Sequence, residues 1–507
     1  MLKSQVLYTM KRMSRLCALA VAMMMCFSLN ASAQSFEEYK KKAAADFDAY
    51  KKQKTDDYKA YRDKVNADFA EYMRKAWEWK KGENAVKKPE REPDVPPVVL
   101  PELEEPVIPE GDEIPFDYVV PVLDVTPTPV PIMPLPTRPD PSEKVHELNF
   151  YGTVCKVRFN PEGMEKMKDA SEESASKMWS ALSGEKYDNL LYDCNKIRED
   201  LALCDWAYYR LAEEVSEKIY GKSNEATMLK AYIMNQSGFR LRLGRSDAGS
   251  IHTLMALSDD IYNMPYWKID GYHYYLTDGS NPGALYIFDQ NFPQEQSLRM
   301  SINAPQNLSV QKSSPRKLRS KRYQNVEVTS SVNINMMDFY GDYPDPYFRG
   351  NEYSTWSFYA NAPVSRQMKE TVYPRLKSAI AGKSQKDAAN ILINFVQTGF
   401  EYKTDDEAWG YERAFFPEES LYYPYCDCED RSILFSRLVR DLMGLEVVLL
   451  YYPGHLATAV RFDEDIPGDY IVLDKGDYLV CDPTYINASI GMTMPDMDNS
   501  KAVVVML

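Results

Sequence analysis

A cysteine, a histidine and an aspartate held together can break an acyl bond: the thiolate attacks, the imidazole carries the proton, and the carboxylate holds the ring in the tautomer that can do so. Cys428, His455 and Asp482 occur in that order, with His455 27 residues after the cysteine and 27 before the aspartate. His455 is one of only four histidines in the chain. A thiol becomes a nucleophile near neutral pH when an imidazolium and the positive end of a helix lower its pKa from about 8.5 to roughly 3.5–7.5. The sequence around Cys428 carries signals for a helix start. Asp427 suits an N-cap, Glu429 and Asp430 suit a first turn, Ile433, Leu434, Leu438 and Leu442 recur at helical spacing, and Gly444 supplies a stop.

The partners must then be positioned by the chain beyond Gly444. Short β-rich runs at Glu446–Tyr452, Leu456–Phe462, Tyr470–Leu473 and Tyr478–Cys481 are broken by Pro-Gly, Pro-Gly and Lys-Gly-Asp. This predicts a nucleophile helix leading into an antiparallel meander, with His455 at the start of one strand and Asp482 at the end of a later one. The same residues have plainer uses. Cys428 can be a buried thiol or half of a disulfide with Cys426 or Cys481, His455 a satisfied strand-end histidine, and Asp482 a turn former before Pro483. A metal set of Cys426, Cys428, Cys481 and His455 lacks the paired ligand spacing of a structural zinc site, so no metal or other cofactor is expected.

Asp427-Cys428-Glu429-Asp430-Arg431-Ser432 with Leu438-Val439-Arg440 and Gly444, then Gly454-His455, then Cys481-Asp482-Pro483-Thr484, resemble the transglutaminase-like superfamily of papain-like cysteine hydrolases over about residues 360–507. Ala388 to Phe400, with Tyr402 just after it, is similar to the helix before the nucleophile in many bacterial members. The resemblance implies a papain-like α+β domain in which Cys428 is the nucleophile, His455 the base and Asp482 the orienter. It implies an acyl-enzyme mechanism on peptide or amide bonds. The default oxyanion donor is the backbone N–H of Cys428, with Gln397 and Trp409 as side-chain candidates. A domain can also keep such a fold and such residues while only binding peptide or scaffolding the cell envelope.

The remaining chain sets the context. Its 507 residues, 44% of them apolar, suffice for two or three domains. Residues 1–33 carry Lys3, Lys11, Arg12 and Arg15 ahead of the apolar run Leu16–Leu29 and end in Ala31-Ser32-Ala33, the pattern of a cleaved signal peptide. The run is too short to span a membrane comfortably, and Cys26 comes after three methionines rather than a small residue, which argues against a lipid anchor. The mature chain is therefore expected to be exported in a bacterium, to the periplasm or the cell surface, with no transmembrane segment. Its net charge moves from −15 to −19 when the four basic residues leave, which argues against nucleic acid as a partner. Six cysteines remain, sparse for a disulfide scaffold, with Cys194–Cys204 a possible pair.

Residues 34–82 form a unit of their own. Phe36, Phe47, Tyr58 and Phe69 recur every 11 residues with Tyr39, Tyr50, Tyr61 and Tyr72 in step, predicting one coiled-coil-like helix over 36–81. Its aromatic face must pack on its own protein, a second copy or an envelope partner. Residues 83–143 hold 16 prolines between Pro89 and Pro141, with 12 acidic against 2 basic residues there, which predicts a stiff extended linker. Residues 144–345 read as an accessory α+β region, with strand at Val145–Phe159, helices over Ser171–Gly221, and His252 and His273 as structural histidines. The basic run from Lys312 to Arg322 reads as a solvated loop open to trypsin-like cleavage. Residues 346–507 form the transglutaminase-like domain.

Overall fold

The computed structural model describes residues 33–89, 94–102, 105–123, 143–160 and 162–507. The signal-peptide reading of residues 1–33 and most of the Pro-rich reading beyond residue 123 thus lie outside the described residues. The chain is mixed α+β and divides into two compact units, residues 1–68 and 69–507. No helix among the described residues is long and apolar enough to cross a membrane.

Helix α1, Ala33–Met73, accounts for the described part of the first unit, where Phe47, Tyr50 and Tyr61 are exposed. It stops eight residues short of the predicted end. Trp77 folds back to donate its indole N–H to the Met73 carbonyl at 3.0 Å, and Glu78–Lys81 becomes strand β1. The last turn of α1 belongs to the second unit. There Phe69 packs within about 5 Å of the rings of Trp179, Phe288 and Phe292.

β1 forms one edge of a six-stranded antiparallel sheet whose order continues through Ala284–Phe288, Leu241–Arg245, Ile251–Leu257, Tyr272–Leu276 and Tyr266–Ile269. Leu254, Trp267, Tyr274 and Ile287 form its buried core. His273 Nδ1 donates to Asp260 Oδ1 at 2.8 Å and its ring stacks on Tyr266, and His252 lies 3.3 Å from Asp278, so both histidines are tied into this region. The expected strand at Val145–Phe159 is a hairpin, Val145–Phe150 and Thr153–Arg158, turned at Tyr151 and Gly152, both with positive φ.

The second sheet carries the candidate site. Strand β2, Tyr118–Val120, pairs in parallel with the last strand; β3 is Glu446–Tyr452, β4 His455–Arg461, β5 Tyr470–Leu473, β6 Gly476–Cys481 and β7 Val503–Met506. The order is β5-β6-β4-β3-β7-β2. Helix α3, Cys428–Met443, lies against its strands β3 and β4, and helix α2, Gln385–Gly399, packs on α3.

Two expectations are corrected here. The described parts of residues 83–123 are not a free spacer. Val95 donates to the Gly454 carbonyl at 3.0 Å, Leu100 to Ile486 at 3.0 Å and Ile114 to Tyr470 at 2.7 Å, while β2 completes the sheet. Proline removes donors only at its own positions, and the residues between the prolines pair with a sheet edge and bury Ile114 and Val120. The basic run is not a solvated loop either. Arg316–Arg319 pairs with Glu327–Ser330, Arg316 donates to the carbonyls of Tyr423 and Pro424, and Arg322 donates to that of Asn487. The run clamps the segment that leads into α3.

Candidate active site

Cys428 is the first residue of α3, and Gly444 ends the helix in the left-handed conformation at φ 72°. Ile433, Leu434 and Leu438 are buried, as their spacing predicts. One turn after Cys428, Ser432 donates its hydroxyl to the Leu456 carbonyl at 2.7 Å, which ties the start of α3 to the start of β4. Arg431 donates to the carbonyls of Gln397 and Phe400 at 3.3 and 3.1 Å, holding α3 on the C-terminal end of α2.

Pro453 and Gly454 make the two-residue turn between β3 and β4. Tyr452 and His455 are direct partners across it, and only a residue that accepts φ 74° fits at position 454. His455 is therefore the first residue of its strand. In the neighbouring β6, Thr458 pairs with Cys481, so the next residue, Asp482, arrives beside the histidine. The His455 Nε2 and Asp482 Oδ2 lie 2.8 Å apart. The other Asp482 oxygen accepts the N–H groups of Thr484 at 2.8 Å and Tyr485 at 3.2 Å, which fixes the carboxylate. With Nε2–H donating to Asp482, Nδ1 is the basic nitrogen, and it is buried without a hydrogen-bond partner. Tyr452 stacks at 6.3 Å from the imidazole.

The residues around the thiol depart from expectation. Asp427 occupies the N-cap position of α3 but makes no capping hydrogen bond, and its carboxyl lies against Glu429 and Asp430 instead. The Cys428 thiol donates to Glu429 Oε2 at 3.1 Å. Such a bond favours the neutral thiol over the thiolate. Burial pushes the Asp427 and Asp430 carboxyls well above the usual carboxylate range, and the charge of Glu429 adds to the effect. Asp405 closes this group. Among the described residues, ligand oxygens of Asp405, Asp427 and Asp430 lie within 4.8 Å of one another, as do those of Asp405, Glu412 and Glu429. These are the side chains that could hold a cation, and sequence reading missed them because Asp405 and Glu412 sit on a separate turn and loop. Among the described residues, Cys155, Cys194, Cys204, Cys426, Cys428 and Cys481 are free thiols.

Of the two side-chain oxyanion candidates, Gln397 is committed elsewhere. Its amide donates to the carbonyls of Asp482 at 3.2 Å, Tyr485 at 2.7 Å and Ala488 at 3.1 Å, so its two N–H groups brace the loop behind Asp482. Replacing Gln397 with leucine is expected to leave those carbonyls unmet and to cost about 2 kcal/mol in urea unfolding. Trp409 ends a short turn, Asp405–Ala408, and packs edge-on to Phe415 and Tyr423 beneath the Arg413 guanidinium. A donor that sequence reading did not assign is Tyr402. It pairs with Cys426 in a short parallel bridge, and its hydroxyl is buried without a partner. Burial raises its pKa strongly, and the charge of Cys428 adds the largest effect after burial.

No family model, curated protein or solved structure matches the chain. The chemistry therefore rests on the geometry of these side chains.

Proposed function

We propose that the chain is an exported, transglutaminase-like cysteine hydrolase or acyltransferase acting on peptide or amide bonds. The observation that carries this reading is the 2.8 Å His455–Asp482 contact, which leaves a buried, unengaged imidazole nitrogen on a strand tied to the first turn of the Cys428 helix. In the reaction, the Cys428 sulfur attacks the acyl carbon as His455 takes its proton. His455 then protonates the departing amine, and water or a second amine releases the acyl group from sulfur. The backbone N–H of Cys428 and the Tyr402 hydroxyl are the donors available to the developing oxyanion. Phenylalanine at Tyr402 is expected to lower kcat/KM about a hundredfold with little change in KM, measured on any peptide substrate the enzyme turns over.

A second reading, a catalytically silent peptide-binding protein of the envelope, draws on the thiol's bond to Glu429 and on the complete burial of Cys428. The two are separated by iodoacetamide alkylation of the mature chain, with the modified cysteine mapped by mass spectrometry across pH. The hydrolase predicts labelling of Cys428 near pH 6. Labelling only above about pH 8, where an ordinary thiol ionises, overturns it.

A further inference from the structure

A recess of about 260 Å³ lies near the Cys428 helix, and none of Cys428, His455 and Asp482 lines it. Tyr262, Tyr353 and Trp356 line it, together with the acidic residues Asp345, Glu352 and Glu412. Lys88 enters it. Its ammonium lies 2.5 Å from Asp345 Oδ2 and 3.4 Å from the Glu412 carbonyl, and 5.9 Å from the centre of the Tyr262 ring. Aromatic walls that cover an alkyl stem, with carboxylates at the end, are the surroundings that retain an alkylammonium group. Asp345 pairs with that ammonium, and with Glu352 and Glu412 also among the lining residues the acidic side chains outnumber the one lysine.

Its position relates it to the thiol. Glu412 is one of the lining residues, its carboxylate lies within 4.8 Å of that of Glu429, and Glu429 is the residue 3.1 Å from the Cys428 sulfur. Beyond Lys88, the same stretch of chain passes the other side of the site. Val95 donates to the carbonyl of Gly454, the residue before His455, at 3.0 Å. Leu100 donates to Ile486 at 3.0 Å and Ile486 to Val98 at 2.9 Å, just past Asp482. A lysine side chain thus sits in a pocket on the Glu429 side of the thiol, and extended backbone is hydrogen-bonded along the His455 and Asp482 side.

We infer that this recess is a subsite for a lysine side chain of a peptide ligand, and that Lys88 with the Asp94–Leu100 strap is its intramolecular occupant. That the ligand is a substrate rests on the hydrolase reading above; the binding does not. The strap holds the groove closed by competing for it, and an incoming lysyl peptide displaces it.

The test uses the full mature chain with Nα-acetyl-lysine amide as probe and Nα-acetyl-norleucine amide as the uncharged control, titrated by calorimetry. Lys88→Ala should bind the lysine amide about tenfold more tightly than the wild type, the gain expected when a competing ammonium is removed from a partly desolvated aromatic site. Norleucine amide should gain nothing, and adding Glu352→Gln should weaken the lysine amide again. Val95→Pro, which removes the donor to Gly454, should speed iodoacetamide labelling of Cys428 about fivefold, the ratio set by one lost backbone hydrogen bond. It serves as a second variant if Lys88→Ala perturbs folding. Equal lysine-amide affinity in wild type and Lys88→Ala, equal binding of norleucine amide, or unchanged labelling in Val95→Pro would each overturn the inference. Probe binding needs no reaction at Cys428. A chain that selects the lysine amide yet fails the alkylation test at pH 6 keeps this subsite and loses the hydrolase.

Discussion

Asparagine in place of Asp482 is expected to lower kcat about 10⁴-fold while leaving the fold intact, a larger effect than the change of two atoms suggests. The reason is in the hydrogen bonds. One Asp482 oxygen accepts from the Thr484 and Tyr485 backbones, and an asparagine carbonyl can keep both bonds. That choice turns the amide N–H₂ toward His455 Nε2, which now lies 2.8 Å from Asp482 Oδ2. The ring must then accept at Nε2 and carry its proton on Nδ1, so the nitrogen that should receive the thiol proton is already occupied. Alanine at His455 should cost a similar factor and also abolish the labelling of Cys428 near pH 6. Together the two variants separate a working triad from a silent site. In the silent protein neither substitution changes the alkylation profile of Cys428, and a profile unmoved by either one ends the hydrolase reading.

The settings of Cys428, His455 and Asp482 were legible in the sequence because each lies at a boundary that local chemistry marks. Cys428 opens a helix with an apolar stripe, His455 comes directly after a Pro-Gly turn, and Asp482 lies between the end of a strand and a proline. The meander itself was readable from alternation and turn residues. What composition hid was every pairing whose partner is distant. The Pro-rich stretch has the content of a linker, yet Tyr118–Val120 lies on a sheet edge supplied by Val503–Val505, far along the chain. The basic run has the content of a loop, yet Arg316 and Arg322 reach carbonyls about a hundred residues away or more. Long-range pairing of this kind leaves no period in the sequence.

Asp427 shows the limit of a local rule from the other direction. It stands where an N-cap should, but the neighbouring carboxylates of Asp405, Glu429 and Asp430 crowd the same volume, and it makes no cap. The local signal for a low-pKa thiol, a helix N-terminus, is therefore set against a buried negative cluster. The helix dipole is worth roughly 0.3–1 kcal/mol at an ordinary terminus, less than a single close buried charge can contribute. For the proposed hydrolase, activation of Cys428 would have to come chiefly from a His455 imidazolium, or from neutralisation of the carboxylates beside the thiol. This is why the histidine variant, rather than any change to the helix, is the decisive probe of the thiol.

The same region should govern how stability depends on pH. Glu418 and Glu419 lie in the turn that precedes the nucleophile segment, and both are buried. Burial pushes each carboxyl up to about 7, even though Glu418 accepts from Ser365 and Glu419 pairs with Arg413. In the unfolded chain both titrate near 4.3. The folded state therefore binds protons more tightly, so their contribution to stability is complete below about pH 4.3 and is lost as the pH rises through about 7. Each group accounts for about 3 kcal/mol across that window. Glutamine at Glu418 mimics the protonated side chain and can keep the bonds to Ser365. Relative to wild type, Glu418→Gln should be close to neutral in urea unfolding at pH 4.5 and about 3 kcal/mol more stable at pH 8. A difference that stays flat between those pH values would mean that Glu418 is ionised without penalty, and that the turn ahead of Cys428 is not held by a buried proton.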